Sequence, residues 1–190
     1  MRVLVVDDSS ERTEVLREGL EQAGYEVVAA LTSPFELLHA IEQSRPDVII
    51  IDTQSPSRDV LEHVVMISRD EPRPIVMFAS DAAPDTIREA VRAGVSAYIV
   101  DGLEASRVKA IVEVAVARFD EYQRLKIELA DANLKLSERK LVERAKGLLM
   151  QARGMSEDEA YQSLRRMAMD RGKRVGEIAQ QLIDMAGLLG

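Results

Sequence analysis

Cysteine and tryptophan are absent from all 190 residues, and histidine occurs only twice. Without thiols the chain can hold neither a disulfide framework nor a thiolate metal site. His39 and His63 fall in separate stretches with no ligand-like spacing, so both are expected to be ordinary surface or boundary residues. There is no glycine-rich phosphate loop and no Ser-His-Asp arrangement, which makes a metabolic enzyme the least expected class. Long apolar runs are missing as well. The first, Val3–Val6, is ended at once by Asp7 and Asp8, too short for a signal peptide or a spanning helix, and a cytoplasmic protein is expected.

What the chain does have is apolar and charged material in proportions that fold. With 46% hydrophobic and 31% charged residues, wholesale disorder is excluded. The length exceeds the roughly 100–150 residues usual for one domain, so a full domain and a smaller module are expected. The formal net charge of −8 is unevenly spread. Residues 1–137 hold 15 Lys and Arg against 25 Asp and Glu, whereas residues 138–190 hold 10 against 8, which places the basic surplus in the C-terminal module. Helix faces merely solvated by lysine and arginine would show the same small surplus, so charge alone does not select a nucleic-acid partner.

Over the first 120 residues, five short runs alternate with amphipathic segments: Val3–Val6, Val27–Leu31, Val48–Ile51, Ile75–Ala79 and Ala97–Val100. Each is almost continuously apolar, the mark of a strand buried on both faces. The expected fold is therefore a doubly wound α/β domain with a five-stranded parallel sheet. Gly24 and Gly94 stand where left-handed helix caps are wanted, and Ser33-Pro34-Phe35-Glu36 reads as a capping box with proline at the first helical position. After Glu104 neither Gly nor Pro occurs until Gly147. Within that span Val108, Ile111, Ala115, Tyr122, Leu125, Leu129, Ala132 and Leu136 follow a four-three spacing interrupted by Arg118. This predicts a coiled-coil seam pairing two chains in parallel, although one long helix packed within its own chain would show the same spacing. Farther on, Gly154, a Ser156-x-x-Glu159 capping box and a break at Arg171-Gly172 divide the end of the chain into three short helices.

In an open parallel sheet, functional groups gather beyond the carboxyl ends of the strands near the point where strand order reverses. Asp7 and Asp8 follow the first strand and Asp52 ends the third. Three carboxylates brought together repel one another unless a hard cation such as Mg²⁺ neutralises them, and strand-end acids without a metal are the plainer alternative. Val5-Val6-Asp7-Asp8, Ile50-Ile51-Asp52 with Pro56 and Asp59 following, Ser80 and Tyr98 together resemble the receiver domain of two-component response regulators, over residues 1 to about 118. That resemblance implies a flavodoxin-like sheet, Asp7 and Asp8 as Mg²⁺ ligands with Asp52, Asp52 as phosphoryl acceptor, Ser80 as the hydroxyl that senses it, and Tyr98 as a switch aromatic. Two positions depart from the family pattern: Asp101 stands where receivers carry a lysine, and Val60 replaces a usual glycine. Exchanging attraction for repulsion about 4 Å from a phosphoryl oxygen costs up to several kcal/mol at an effective dielectric near 20. A working phosphorylation switch is therefore not expected.

Glu143-Arg144-Ala145-Lys146-Gly147-Leu148-Leu149-Met150, then 154–160 and Leu164-Arg165-Arg166-Met167-Ala168-Met169, closely resemble the ANTAR domain of bacterial transcription antiterminators. A receiver, a coiled coil and an ANTAR domain in this order resemble the AmiR and NasT group. The runs 55–60, 72–78 and 94–100 bring the chain nearest the NasT type, the nitrate-assimilation antiterminators. The expected division is a receiver-like domain over 1–118, a coiled-coil linker over 119–137 and an all-α three-helix ANTAR domain over 138–190. The resemblance implies a homodimer that binds paired hairpins in a leader RNA and prevents termination of nitrate and nitrite assimilation genes. It also implies a nitrate-sensing, NasS-like partner, and neither enzyme activity nor membrane association.

Lys140, Arg144, Lys146, Arg165, Arg166, Arg171, Lys173 and Arg174 are the cations expected to meet RNA phosphates. Tyr161 is the only aromatic of the module, so several stacking platforms are not expected. Met150, Met155, Met167, Met169 and Met185 are expected to fill the core. Two other readings stay open: a response regulator activated by phosphorylation of Asp52, and a DNA-binding output domain. The latter is disfavoured because the last 50 residues carry no helix-turn-helix signature.

Overall fold

Side chains alternate across a strand, so an unbroken apolar run must bury both of its faces. The computed structural model, which describes residues 1–7, 9–100 and 105–189, meets this demand with a parallel sheet clad on two sides. Among the described residues five strands form it: β1 (Arg2–Asp7), β2 (Glu26–Leu31), β3 (Val48–Thr53), β4 (Ile75–Ala79) and β5 (Ala97–Val100), in the order β2-β1-β3-β4-β5. All pairings are parallel. The connecting helices are α1 (Ser10–Gln22), α2 (Leu37–Ser44), α3 (Arg58–Asp70) and α4 (Pro84–Ala93); α5 (Ala105–Arg153), α6 (Glu157–Arg171) and α7 (Val175–Leu189) follow.

One sheet face carries Val3, Val5, Val48, Ile50, Val76 and Phe78, covered by Leu16 and Leu20 of α1 and by Val108, Val112 and Ala115 of α5. The other carries Leu4, Val6, Ile49, Ile51, Ile75 and Met77, beneath Leu37 and Ile41 of α2, Val64 and Ile67 of α3, and Ala90 and Ala93 of α4. Each fully buried aliphatic contributes roughly 1.5–3 kcal/mol. These two layers therefore dominate the stability of this unit.

Chain contacts divide the protein into two compact units, residues 1–123 and 124–190. The second unit has its own core, in which Ala145 and Leu149 of α5 meet Ala160, Leu164 and Ala168 of α6 and Ile178, Ala179 and Ile183 of α7. Ser156 caps α6 as expected: its hydroxyl accepts from the Glu159 N–H, and the Glu159 carboxylate accepts in return from the Ser156 N–H at 2.8 Å. Gly154 and Gly172 adopt left-handed angles at the two helix ends.

Four expectations need correction. Val108, Ile111 and Ala115 belong to the sheet-covering face rather than to a chain-pairing seam, because a helix on a sheet and a helix in a coiled coil bury the same i, i+3, i+7 positions. The first of the three C-terminal helices is not short, since nothing breaks α5 between Ala105 and Arg153. The Ser33 capping box does not form. Pro34–Glu36 make a 3₁₀ turn, Ser33 Oγ accepts from the Phe35 N–H at 3.3 Å, and Glu36, the N-cap of α2, makes no side-chain cap. Of the methionines, Met155 and Met167 line the second core, but Met150, Met169 and Met185 are exposed.

Gly94 terminates α4 at φ +115°, and a Cβ at this position would stand 2.0 Å from Ser68 Oγ on α3. Both the backbone and the helix contact therefore require glycine. Gly94→Ala should lower the unfolding free energy of the first unit by about 2–3 kcal/mol, read by chemical denaturation. Combining it with Ser68→Gly should recover the steric part alone.

Candidate functional site

Strand order reverses between β1 and β3, and parallel register aligns Asp7 with Asp52 across that boundary. Asp7 is fully buried, with Oδ1 accepting from the Ser9 N–H at 2.8 Å, while Asp52 is half-buried at the crevice. The fold thus brings together two of the three expected acids from positions 45 residues apart. Asp8 and Asp101 lie outside the described residues. Among the described residues no group of three His, Cys, Asp or Glu is placed to hold a metal ion. The oxygen-only pair Asp7 and Asp52 suits a hard cation of the Mg²⁺ kind. Val60, in the glycine position, sits in the first turn of α3, where its N–H donates to the Ser57 cap and its side chain packs on the core.

The loop after β4 holds a residue that sequence reasoning passed over. Asp81 accepts from the Ala83 N–H at 2.8 Å, from Ser55 Oγ at 2.9 Å and from Thr86 Oγ1 at 3.1 Å. These bonds, the Ala83 amide first, hold its carboxyl below the ordinary range. Its backbone carbonyl takes the Tyr98 hydroxyl at 2.8 Å, and both Ser80 and Asp81 donate N–H bonds to Gln54 O at 3.0 Å. Burial first, and the nearby Asp81 charge second, raise the Tyr98 pKa. Asp81 therefore ties together the loops that follow β3 and β4 and the hydroxyl of Tyr98. Its signal was an aspartate three residues before the helix-opening Pro84, the pattern of an Asx turn.

In the second unit the eight candidate cations separate. Lys146 is only 8% exposed, with Nζ 2.7 Å from Glu157 Oε1 and 2.9 Å from Glu143 Oε2. Instead of standing free on the surface, it shares the inward face of α5 with Ala145 and Leu149 and ties α5 to the start of α6. Arg165, Lys173 and Arg174 line one groove of about 770 Å³ between α5, α6 and the turn before α7. Lys135, Arg139 and Tyr161, outside the expected set, line it too. Gly176 closes that end; a Cβ on it would come within 3.0 Å of Glu138 Cγ. Arg166 lies instead in an acidic cleft with Asp158, Glu159 and Asp170. Lys140 and Arg144 are exposed on α5 outside the groove, and Arg171 reaches Gln181 Oε1 at 3.5 Å.

The Glu157 carboxylate first, then Glu143, hold the Lys146 ammonium above its ordinary range, and Lys146 holds Glu157 below its own. The pairing is therefore complete between about pH 4.3 and 10.4; it is lost as rising pH deprotonates Lys146 and as falling pH protonates Glu157. Lys146→Ala should lower the thermal unfolding temperature by several degrees at pH 7, while the exposed Lys140→Ala changes it by about a degree or less. The difference between wild type and Lys146→Ala should shrink below pH 4. Equal loss for both variants at pH 7 would remove the clamp.

Residues 3–113 match the response regulator receiver domain family, and residues 130–183 match the ANTAR domain family. The transcriptional regulatory protein PdtaR of Mycobacterium tuberculosis is 34% identical over 186 residues, spanning 98% of this chain and 91% of that protein. A nitrate regulatory protein of Klebsiella oxytoca is 47% identical over 68 residues, 36% of this chain but 17% of its own length. The signal receiver domain of a modulated diguanylate cyclase from Desulfovibrio desulfuricans shares the fold, with a TM-score of 0.56 at 23% identity over 64% of this chain and 97% of that one. The similarity that runs the length of the chain is thus to a regulator not named for nitrate, and the likeness to a nitrate regulator covers about a third. Both family matches and the full-length relative lead to one conclusion: the chain belongs to the response regulators, with a receiver domain followed by an ANTAR domain.

Proposed function

We propose that this chain is an RNA-binding antitermination regulator, with a receiver-like domain over 1–118, a coiled-coil linker over 119–137 and the RNA-binding module over 138–190. The observation that carries the reading is the basic groove inside the ANTAR match, where Arg139, Arg165 and Lys173 have no ion-pair partner among the described residues. Cations held apart from carboxylates attract a polyanion and release its counterions. In this reading, paired hairpins of a leader transcript occupy the module and a terminator does not form.

A second copy of the chain is the proposed occupant of the exposed stripe on α5. Tyr122, Leu125, Leu129 and Leu136 are 50–63% exposed, and they continue the heptad spacing beyond the part that covers the sheet. Burying the exposed remainder of four such side chains from each copy contributes roughly 8–12 kcal/mol. Association costs about 4–15 kcal/mol. The two ranges overlap, so the proposed dimer is one that a partner could regulate. A nitrate-sensing, NasS-like partner is the proposed gate, supported by the similarity to the Klebsiella nitrate regulatory protein.

Phosphorylation remains the second reading because Asp7 and Asp52 are aligned at the switch point. Mg²⁺ held by Asp7, Asp8 and Asp52 would neutralise charge on a phosphoryl group there. Asp101 in place of the receiver lysine argues against stable transfer.

Binding of the purified protein to a two-hairpin leader RNA and to duplex DNA of equal length, across a salt series with and without acetyl phosphate and Mg²⁺, tests these readings together. RNA binding that ignores the phosphodonor supports partner gating; binding only after phosphorylation restores the switch at Asp52; preference for duplex DNA sinks RNA recognition. The partner should associate without nitrate and dissociate with it. Leu129→Asp should leave the chain monomeric in sedimentation and weaken binding to the two-hairpin RNA by roughly 100-fold, since paired modules bind through effective concentration.

A further inference from the structure

The groove between α5 and α6 has an apolar element that phosphate binding does not explain. Tyr161, Arg165 and Met169 follow one another at i, i+4 and i+8 along α6, with Lys135, Arg139 and Val142 lining the groove from α5. Tyr161 is 43% exposed and Met169 73% exposed, and neither belongs to the core of the module. The acids of the groove are already occupied. Glu138 pairs with Arg174 at 4.0 Å and Glu143 with Lys146 at 2.9 Å, while Lys135 pairs with Asp131 at 2.7 Å. Arg139, Arg165 and Lys173 remain as cations around an aromatic ring and a thioether.

An exposed aromatic ring and a thioether beside cations without ion-pair partners among the described residues suit a nucleobase and its flanking phosphates. The volume of about 770 Å³ lies within the range of small-ligand sites, roughly 300–1,000 Å³. A base inside a duplex has both faces covered by its neighbours and cannot reach the ring, so only an unpaired nucleotide gains the stacking contact. With one aromatic in the module, a single base is held rather than a run.

We propose that this groove captures one unpaired nucleotide of an RNA loop, its base against Tyr161 and Met169 and its phosphates on Arg165, Lys173 and Arg139. The inference rests on the RNA-binding reading above and narrows it: the module recognises a loop by extracting one base from it.

The test uses the full-length chain and RNA hairpins with a fixed stem and a randomised loop, with the same stem closed as a blunt duplex for comparison. Fluorescence anisotropy should show selected loops bound and the blunt duplex bound far more weakly. Tyr161→Ala should weaken loop binding roughly tenfold, and Tyr161→Phe by no more than about twofold. Arg165→Ala and Lys173→Ala should each flatten the salt dependence by about one unit of slope, whereas Arg166→Ala in the neighbouring cleft should not. An abasic nucleotide at one loop position should reproduce the loss seen with Tyr161→Ala and add nothing to it. Unchanged thermal unfolding separates lost contact from lost fold, and the abasic arm tests the same contact without altering the protein. If the wild type binds loops but Tyr161→Ala and Arg165→Ala bind them equally well, RNA recognition stands and the groove assignment is wrong. Additive losses, or equal binding of the blunt duplex, also overturn it. Absence of binding to any RNA removes both readings.

Discussion

One helix has to present apolar residues to two hydrophobic cores that share no other element. Near its start α5 lays Val108, Val112 and Ala115 on the sheet, and near its end it offers Ala145 and Leu149 to α6 and α7. A glycine or proline in the intervening stretch would cost the helix about 1–3 kcal/mol, and none occurs before Gly147. Between the two buried stretches, the same helical period continues through Tyr122, Leu125, Leu129 and Leu136, which stay half or more exposed among the described residues. The stretch that carries no core is thus the one left available for association.

The two units balance charge by opposite means. In the first, Asp7 and Asp52 approach each other at the strand ends, and the neighbouring Asp81 is fully engaged by an amide and two hydroxyls. In the second, acids and bases are sorted: Lys146 draws Glu143 and Glu157 into one cluster, and Arg174 takes Glu138. The two carboxylates that line the groove with Arg139 and Arg165, Glu138 and Glu143, are thereby paired with other cations. A nearly neutral module therefore displays a basic groove, which its net charge alone would not suggest.

The sheet was legible because burial on both faces leaves a signal in every strand: the five apolar runs lie within the observed strands, and Ile75–Ala79 and Ala97–Val100 coincide with them. Gly24, Gly94, Gly154 and Gly172 were legible for the same reason, since each has a left-handed backbone that few other residues tolerate. Helical periodicity was ambiguous. It cannot say whether Val108 faces a sheet or another chain, and it placed Lys146 among solvent-facing cations although its neighbours Ala145 and Leu149 point inward. The Asp7 and Asp52 pairing followed from topology, whereas Arg139 of α5 became a neighbour of Tyr161 and Arg165 only once α5 and α6 were packed together. Contacts between side chains far apart in sequence leave no local pattern to read.

The half-exposed seam has one more consequence. If a second copy pairs along it as proposed, a seam of so few apolar side chains would dissociate on dilution, and the fraction paired would follow the number of copies in the cell as well as any signal. Doubling the gene dose and removing the proposed inhibitor would then push the same equilibrium in the same direction. The abundance of the regulator would become one of its own inputs.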